Sequence, residues 1–305
     1  MTIAVAWVRT INGCEELVFV TDSRLSGDGR TFDACPKVMT LPRTDCAIAF
    51  AGYTGHAYPM MQQLALAIDA HAPLRRRSMD LPAMRSHALK IFDSMSELIL
   101  SSQLLSTPVS ATPEAEFLFG GYSWIKKEFE IWVIRYSERD RRFVAEPAHW
   151  ACIDNRSGRI VIRRKPDKTG AKCLGKLAFA GDQAPLAKEK LIERLAELLS
   201  ANTPKFDWEP FEVVRDMLRD PRHSETIGGA PQIVKVYQYM DAAPLGVCWP
   251  NKSDGIVHLQ GRPCLGYERI DRFVLDPDTL RSSQTLPRRV AVRQADSEPL
   301  QTLPP

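Results

Sequence analysis

The feature that most restricts this chain is the order in which two hydrophobic periods alternate along it. Residues 2–8 and 17–21 are short apolar runs set around Asn12-Gly13, a dipeptide suited to a two-residue hairpin turn. A third run, CAIAFA at 46–51, stops at Gly52. Then the period changes. Met60, Met61, Leu64 and Ile68 recur at helical spacing over 54–70, with Thr54 as the expected N-cap. Met84, Ala88, Ile91, Met95 and Leu98 form one stripe of a second helix over 81–102. After a Ser/Thr/Pro loop at 105–113, strand alternation returns in 116–124 and 128–136 and continues in 158–164 and 176–181. Helices are expected over 184–200 and 209–219, then strands over 232–240 and 244–250. Strand blocks kept apart from helix blocks predict an α+β fold rather than the parallel sheet of repeated βαβ units.

Composition removes several function classes. With 44% hydrophobic and 25% charged residues the chain reads as globular, and a net charge of +3 gives no expectation of nucleic acid or membrane as a partner. Seven cysteines (14, 35, 46, 152, 173, 248 and 264) include no C-x-x-C, so reduced thiols and no metal site are expected. The start lacks the basic and long apolar regions of a signal peptide, which predicts a cytoplasmic location. No phosphate-binding glycine loop and no G-x-S-x-G elbow occurs. Residues 251–283 are too apolar to be wholly disordered and are expected to form a partly ordered C-terminal extension. From 284 to 305, Pro, Arg, Gln, Ser and Thr predominate, and that tail is expected to lack a fold of its own.

Four short stretches carry the chemistry: MTI at the start, TDSR at 21–24, PKVMTL at 36–41 and FAGYTG at 50–55. Each alone is bland, since an Asp at a strand end or a Gly before a helix is ordinarily structural. In this order they resemble the N-terminal nucleophile hydrolases of the proteasome β-subunit type, including the bacterial two-ring protease HslV. Asp22 precedes Lys37 by 15 positions, and Gly52 follows Lys37 by 15. The resemblance is clear over residues 1–70 and looser to about 250, which sets the expected domain at 1–250. It implies a four-layer αββα sandwich, peptide or protein substrates, a homo-oligomeric ring, a separate ATPase unfoldase as a possible partner, and no cofactor or metal.

The roles that the resemblance implies obey simple chemistry. A threonine hydroxyl needs a base, and an N-terminal threonine has one in its own α-amine, with a pKa of about 7.7–8.0. Thr2 is the implied nucleophile once Met1 is removed. Lys37 is the implied ammonium that keeps the amine neutral, Asp22 its charge partner, and the Gly52 N–H the oxyanion donor. Asp220 and Ser224 are implied to steady the amine, while Asp182 stands where the pattern has serine. Met39, Phe50 and Thr54 are implied to lie at an apolar side-chain pocket. Thr2 precedes Asp22 by 20 positions, four more than the pattern needs, and an even excess in a hairpin keeps side chains on their faces. Two other readings stand beside this one. A retained Met1 predicts an inactive scaffold with the same fold, and a different pocket predicts an amidase for a small amide.

Overall fold

The computed structural model describes residues 2–27, 29–101, 112–164, 172–201, 206–223 and 226–284. The first apolar run becomes β1 (Ala4–Ile11), which pairs antiparallel with β2 (Cys14–Thr21). Asn12 and Gly13 both take positive φ (50° and 82°), as a tight hairpin turn demands. β3 (Leu25–Gly27) and β4 (Arg30–Phe32) form a separate small ribbon that the sequence pattern did not suggest. β5 (Val38–Thr40) and β6 (Cys46–Gly52) follow, then α1 (Thr54–Ala70), α2 (Ala72–Arg75) and α3 (Leu81–Ser101). Thr54 is the first residue of α1, and Tyr53 occupies the N-cap without a side-chain cap bond, which corrects the expected cap.

The second half begins with β7 (Ala115–Ser123), β8 (Glu128–Ser137) and β9 (Arg142–Pro147), which complete a five-stranded antiparallel sheet in the order β5-β6-β7-β8-β9. Next come β10 (His149–Ile153), β11 (Ile160–Arg163), β12 (Lys172–Ala180), α4 (Ala184–Ser200), α5 (Glu209–Arg219), β13 (Gln232–Tyr237) and β14 (Ala242–Cys248). These strands join β1 and β2 in a larger sheet, in the order β11-β10-β12-β1-β2-β13-β14. Residues of the extension continue that sheet through β15 (Val257–Leu259), β16 (Arg262–Pro263), β17 (Val274–Leu275) and β18 (Ser282–Ser283), with β17 lying parallel to β14. The architecture is thus mixed α and β with largely antiparallel sheets and five α-helices among the described residues, compatible with the α+β expectation. The expected tail lies outside the described residues from 285 on, as do residues 105–111 of the expected loop.

Burial on both faces explains why β1 is apolar from Ala4 to Val8. Val5 and Trp7 face one way and pack with Val18, Val20 and Ile233 against Leu191, Leu195, Phe211 and Val214 of α4 and α5. Ala4 and Ala6 face the other way, toward Ala47, Ala49 and Ala51 of β6 and Leu118 of β7. Small residues on both strands let the two sheets approach closely. A third cluster joins Ile48, Phe50, Phe117 and Phe119 to Met60, Met61, Leu64, Met84 and Phe92 of α1 and α3. A strand buried on both faces reads as a continuous apolar run, and Ala4–Val8 of β1 is such a stretch.

One expectation about the thiols is corrected. Cys152 on β10 and Cys173 on β12 stand opposite each other, with Cα atoms 4.0 Å apart, and are joined as a disulfide. Strand pairing brings together two residues whose 21-residue separation carries no motif. No helix among the described residues is long and apolar enough to cross a membrane.

Candidate active site

Thr2 lies just ahead of β1 and is 3% exposed. Asp22 follows the last residue of β2, so the β1–β2 hairpin brings two residues 20 positions apart to one end of the sheet. The Asp22 carboxylate accepts the Ile3 N–H at 3.2 Å and the Arg24 N–H at 3.1 Å, which fixes its orientation. Lys37 enters immediately before β5 and is fully buried. Its Nζ lies 2.9 and 3.0 Å from the two Asp22 oxygens and 2.9 Å from Thr2 Oγ1. Burial pushes the Asp22 carboxyl upward, opposed by the Lys37 ammonium and the two N–H donors, and the net direction is upward. A fully enclosed carboxylate and ammonium tolerate burial only as a pair, and the third ammonium donor is aimed at the threonine hydroxyl.

Gln232, at the start of β13, is a residue that the sequence analysis missed. Its Oε1 accepts the Lys37 N–H at 2.8 Å and the Val38 N–H at 3.4 Å, and its Nε2 donates to Cys35 O. It is fully buried. The amide therefore clamps the backbone that carries Lys37. From the extension, Gln260 Nε2 donates to Val38 O at 2.9 Å, and a Cβ on Gly261 would meet Ser23 Cβ at 2.4 Å. A polar residue opening a largely apolar strand is the sequence signal that Gln232 offered.

Gly52 ends β6 with φ +99°, and a Cβ there would stand 2.4 Å from the backbone oxygen of Glu114. Phe50 donates its N–H to Lys37 O at 3.0 Å. Strand alternation then turns the Gly52 N–H, two residues on, to the same edge, where β5 no longer runs alongside. Gly52 and Thr2 share a cavity of about 950 Å³ whose walls also include Phe32 of β4, Tyr53, Thr54, Glu114 and Tyr136.

The other expected residues divide. Thr54 lines the cavity. Phe50 is fully buried in the core under α1 and α3, edge-on to Tyr58, and Met39 packs against the same core. Neither lines the cavity, because β6 presents Ala51 and Gly52 there and turns Phe50 to the helices. Asp220 caps the C-terminal end of α5, and its carboxylate is gripped by Arg222 at 2.6–3.0 Å, which holds its pKa well below the usual carboxylate range. None of the described hydrogen bonds joins it to Thr2, and Ser224 lies outside the described residues, as does Met1. Thr2 donates its backbone N–H to Asp182 Oδ1 at 2.6 Å. Among the described residues no group of three or more His, Cys, Asp or Glu side chains could hold a metal. No protein-family model matches the chain, and no curated protein matches it.

Proposed function

We propose that this chain is a threonine-type N-terminal nucleophile hydrolase of peptide bonds, built as a four-layer αββα sandwich of the proteasome β-subunit type. The observation that carries the reading is the buried Lys37 ammonium, shared between Asp22 and Thr2 Oγ1 at the wall of an open cavity. Three of the apolar clusters, one between the sheets and one under each helix pair, support the four-layer reading.

In this mechanism the bond between Met1 and Thr2 is first cut, which leaves a free amine beside the hydroxyl. The amine takes the hydroxyl proton as Oγ1 attacks the substrate carbonyl. Lys37 lowers the energy of the developing alkoxide and, paired with Asp22, remains charged throughout. The Gly52 N–H receives the oxyanion, a type of contact worth about 2.7–4 kcal/mol of barrier. The proton passes to the leaving amine as the C–N bond breaks, and water then hydrolyses the ester on Thr2. The reading includes a cytoplasmic setting and assembly with further copies of the chain, with any unfoldase a separate protein.

Two measurements test it. The intact mass of purified protein must lack Met1; a retained Met1 removes Thr2 from catalysis. Capped fluorogenic peptides must be cleaved by the mature protein and not by Thr2→Ala. Equal turnover in that variant refutes the assignment.

A further inference from the structure

We propose that Asp182 is a catalytic residue of this site: its carboxylate holds the Thr2 amine and stabilises the ammonium formed when that amine takes the hydroxyl proton. The proposal rests on the hydrolase reading above and gives the base a partner that the sequence comparison with serine at this position does not supply.

The turn between β12 and α4 is shaped around Thr2. Gly181 sits at φ +96°, and a Cβ there would fall 2.1 Å from Thr2 O, so only glycine lets the turn come this close. The Gln183 N–H points at Thr2 O at 3.4 Å, and the Gly181 N–H donates to Glu116 Oε2 of β7 at 2.8 Å. The turn is thereby tied to both sheets, and the side chain between these two residues accepts the Thr2 backbone N–H at 2.6 Å, the nitrogen that becomes the amine once Met1 is removed. Asp182 also lines the cavity, so the contact lies where substrate enters.

The surrounding charges leave this carboxylate as the effective counter-charge. Lys37 and Asp22 offset each other at 2.9 Å. Glu116 faces Arg135 at 3.7 Å, and Arg24 is tied to Asp33 at 2.6 Å. Asp182 alone of these carboxylates touches the nitrogen in the described contacts. An opposite charge this near raises an amine pKa by about 1–3 units. The step balances simply. As the Oγ1–C bond forms, the Oγ1–H bond breaks and its proton goes to the Thr2 nitrogen. The resulting N⁺–H lies against the Asp182 carboxylate. The proton then leaves with the departing amine. The contact is stronger with the ammonium than with the neutral amine, so it favours the transition state over the ground state.

The experiment measures the amine directly and does not depend on turnover. Intact masses of the wild type, Asp182→Asn and Asp182→Ser first establish Thr2 as the terminal residue. Trace labelling with acetic anhydride across pH 6–10 then gives the titration midpoint of that amine, read from the mass of the N-terminal peptide. The expected midpoint lies above about 8 in the wild type and falls by about one unit or more in both variants. The acidic limb of kcat/KM should move to lower pH with it, while kcat falls. Mature Thr2 with an unmoved midpoint and undiminished hydrolysis overturns the role of Asp182 and leaves the hydrolase reading standing. A retained Met1 in the wild type overturns both.

Discussion

Replacing Lys37 by Met removes the ammonium while nearly keeping the length of the side chain. Lys37 and Asp22 are both fully buried, with Nζ 2.9 and 3.0 Å from the carboxylate oxygens. At that separation the attraction is about 6 kcal/mol for an effective dielectric of about 20. Breaking buried pairs by removing one partner costs a similar ~3–5 kcal/mol, because the remaining charge is left without compensation. The variant should therefore lose about 3–5 kcal/mol at pH 7.5, survivable for a domain of typical stability, and all hydrolysis. The loss depends on pH in a set direction. Without Lys37, the Asp22 carboxyl of the folded state rises further above its unfolded value of about 3.9, so the folded variant binds the extra proton. Its deficit must shrink as pH falls through that raised value. Urea denaturation at pH 7.5 and pH 5 measures both quantities. A double-mutant cycle with Asp22→Asn, which keeps an acceptor for the Ile3 and Arg24 N–H groups, should show a coupling of at least about 2 kcal/mol. A loss below about 1 kcal/mol at pH 7.5, or an identical loss at both pH values, refutes the argument.

Two further outcomes are expected. Gly52→Ala places a Cβ 2.4 Å from Glu114 O at φ +99°, so the urea midpoint should report a loss of at least about 2 kcal/mol; a loss under 1 kcal/mol counts against the strained geometry. Burial holds the imidazoles of His56, His87, His149 and His258 below their usual value. From about pH 6.5 downward the unfolded chain then binds more protons than the folded one, so these groups withdraw stability as pH falls. The urea midpoint should be lower at pH 5.5 than at pH 7.5, and an unchanged or higher midpoint contradicts the assignment.

Elements whose residues pack on one or two faces were legible in the sequence, because packing writes a period. The helices Thr54–Ala70, Ala184–Ser200 and Glu209–Arg219 fall on the expected ranges, and the Asn12-Gly13 turn was readable from the conformations that these residues accept. The β3–β4 ribbon was not, since LSG and RTF are short, exposed and without alternation. Thr2, Asp22 and Lys37 were singled out by order and spacing and come together at hydrogen-bond distance. Gln232 was not singled out, because it is a buried amide, and Asp182 was located only as a turn residue standing where the resemblance has serine. Their partners lie 195 and 180 residues away, so the contacts that each makes are not written in the neighbouring sequence. Phe50 shows the reverse: the resemblance implied a place at the pocket, but strand alternation sends it to the opposite face.

The position of β1 in the large sheet has a consequence for synthesis. Its neighbours are β2, which emerges from the ribosome directly after it, and β12, which begins roughly 150 residues later. β2 likewise waits for β13. At ~5–20 residues per second, the β1–β2 hairpin spends roughly 8–30 s with both edges unpaired and apolar residues on both faces. Such edges are ready templates for association with another chain. The strand that carries the site thus belongs to the part of the nascent chain that most needs shielding, and refolding yield from denaturant should fall as protein concentration rises.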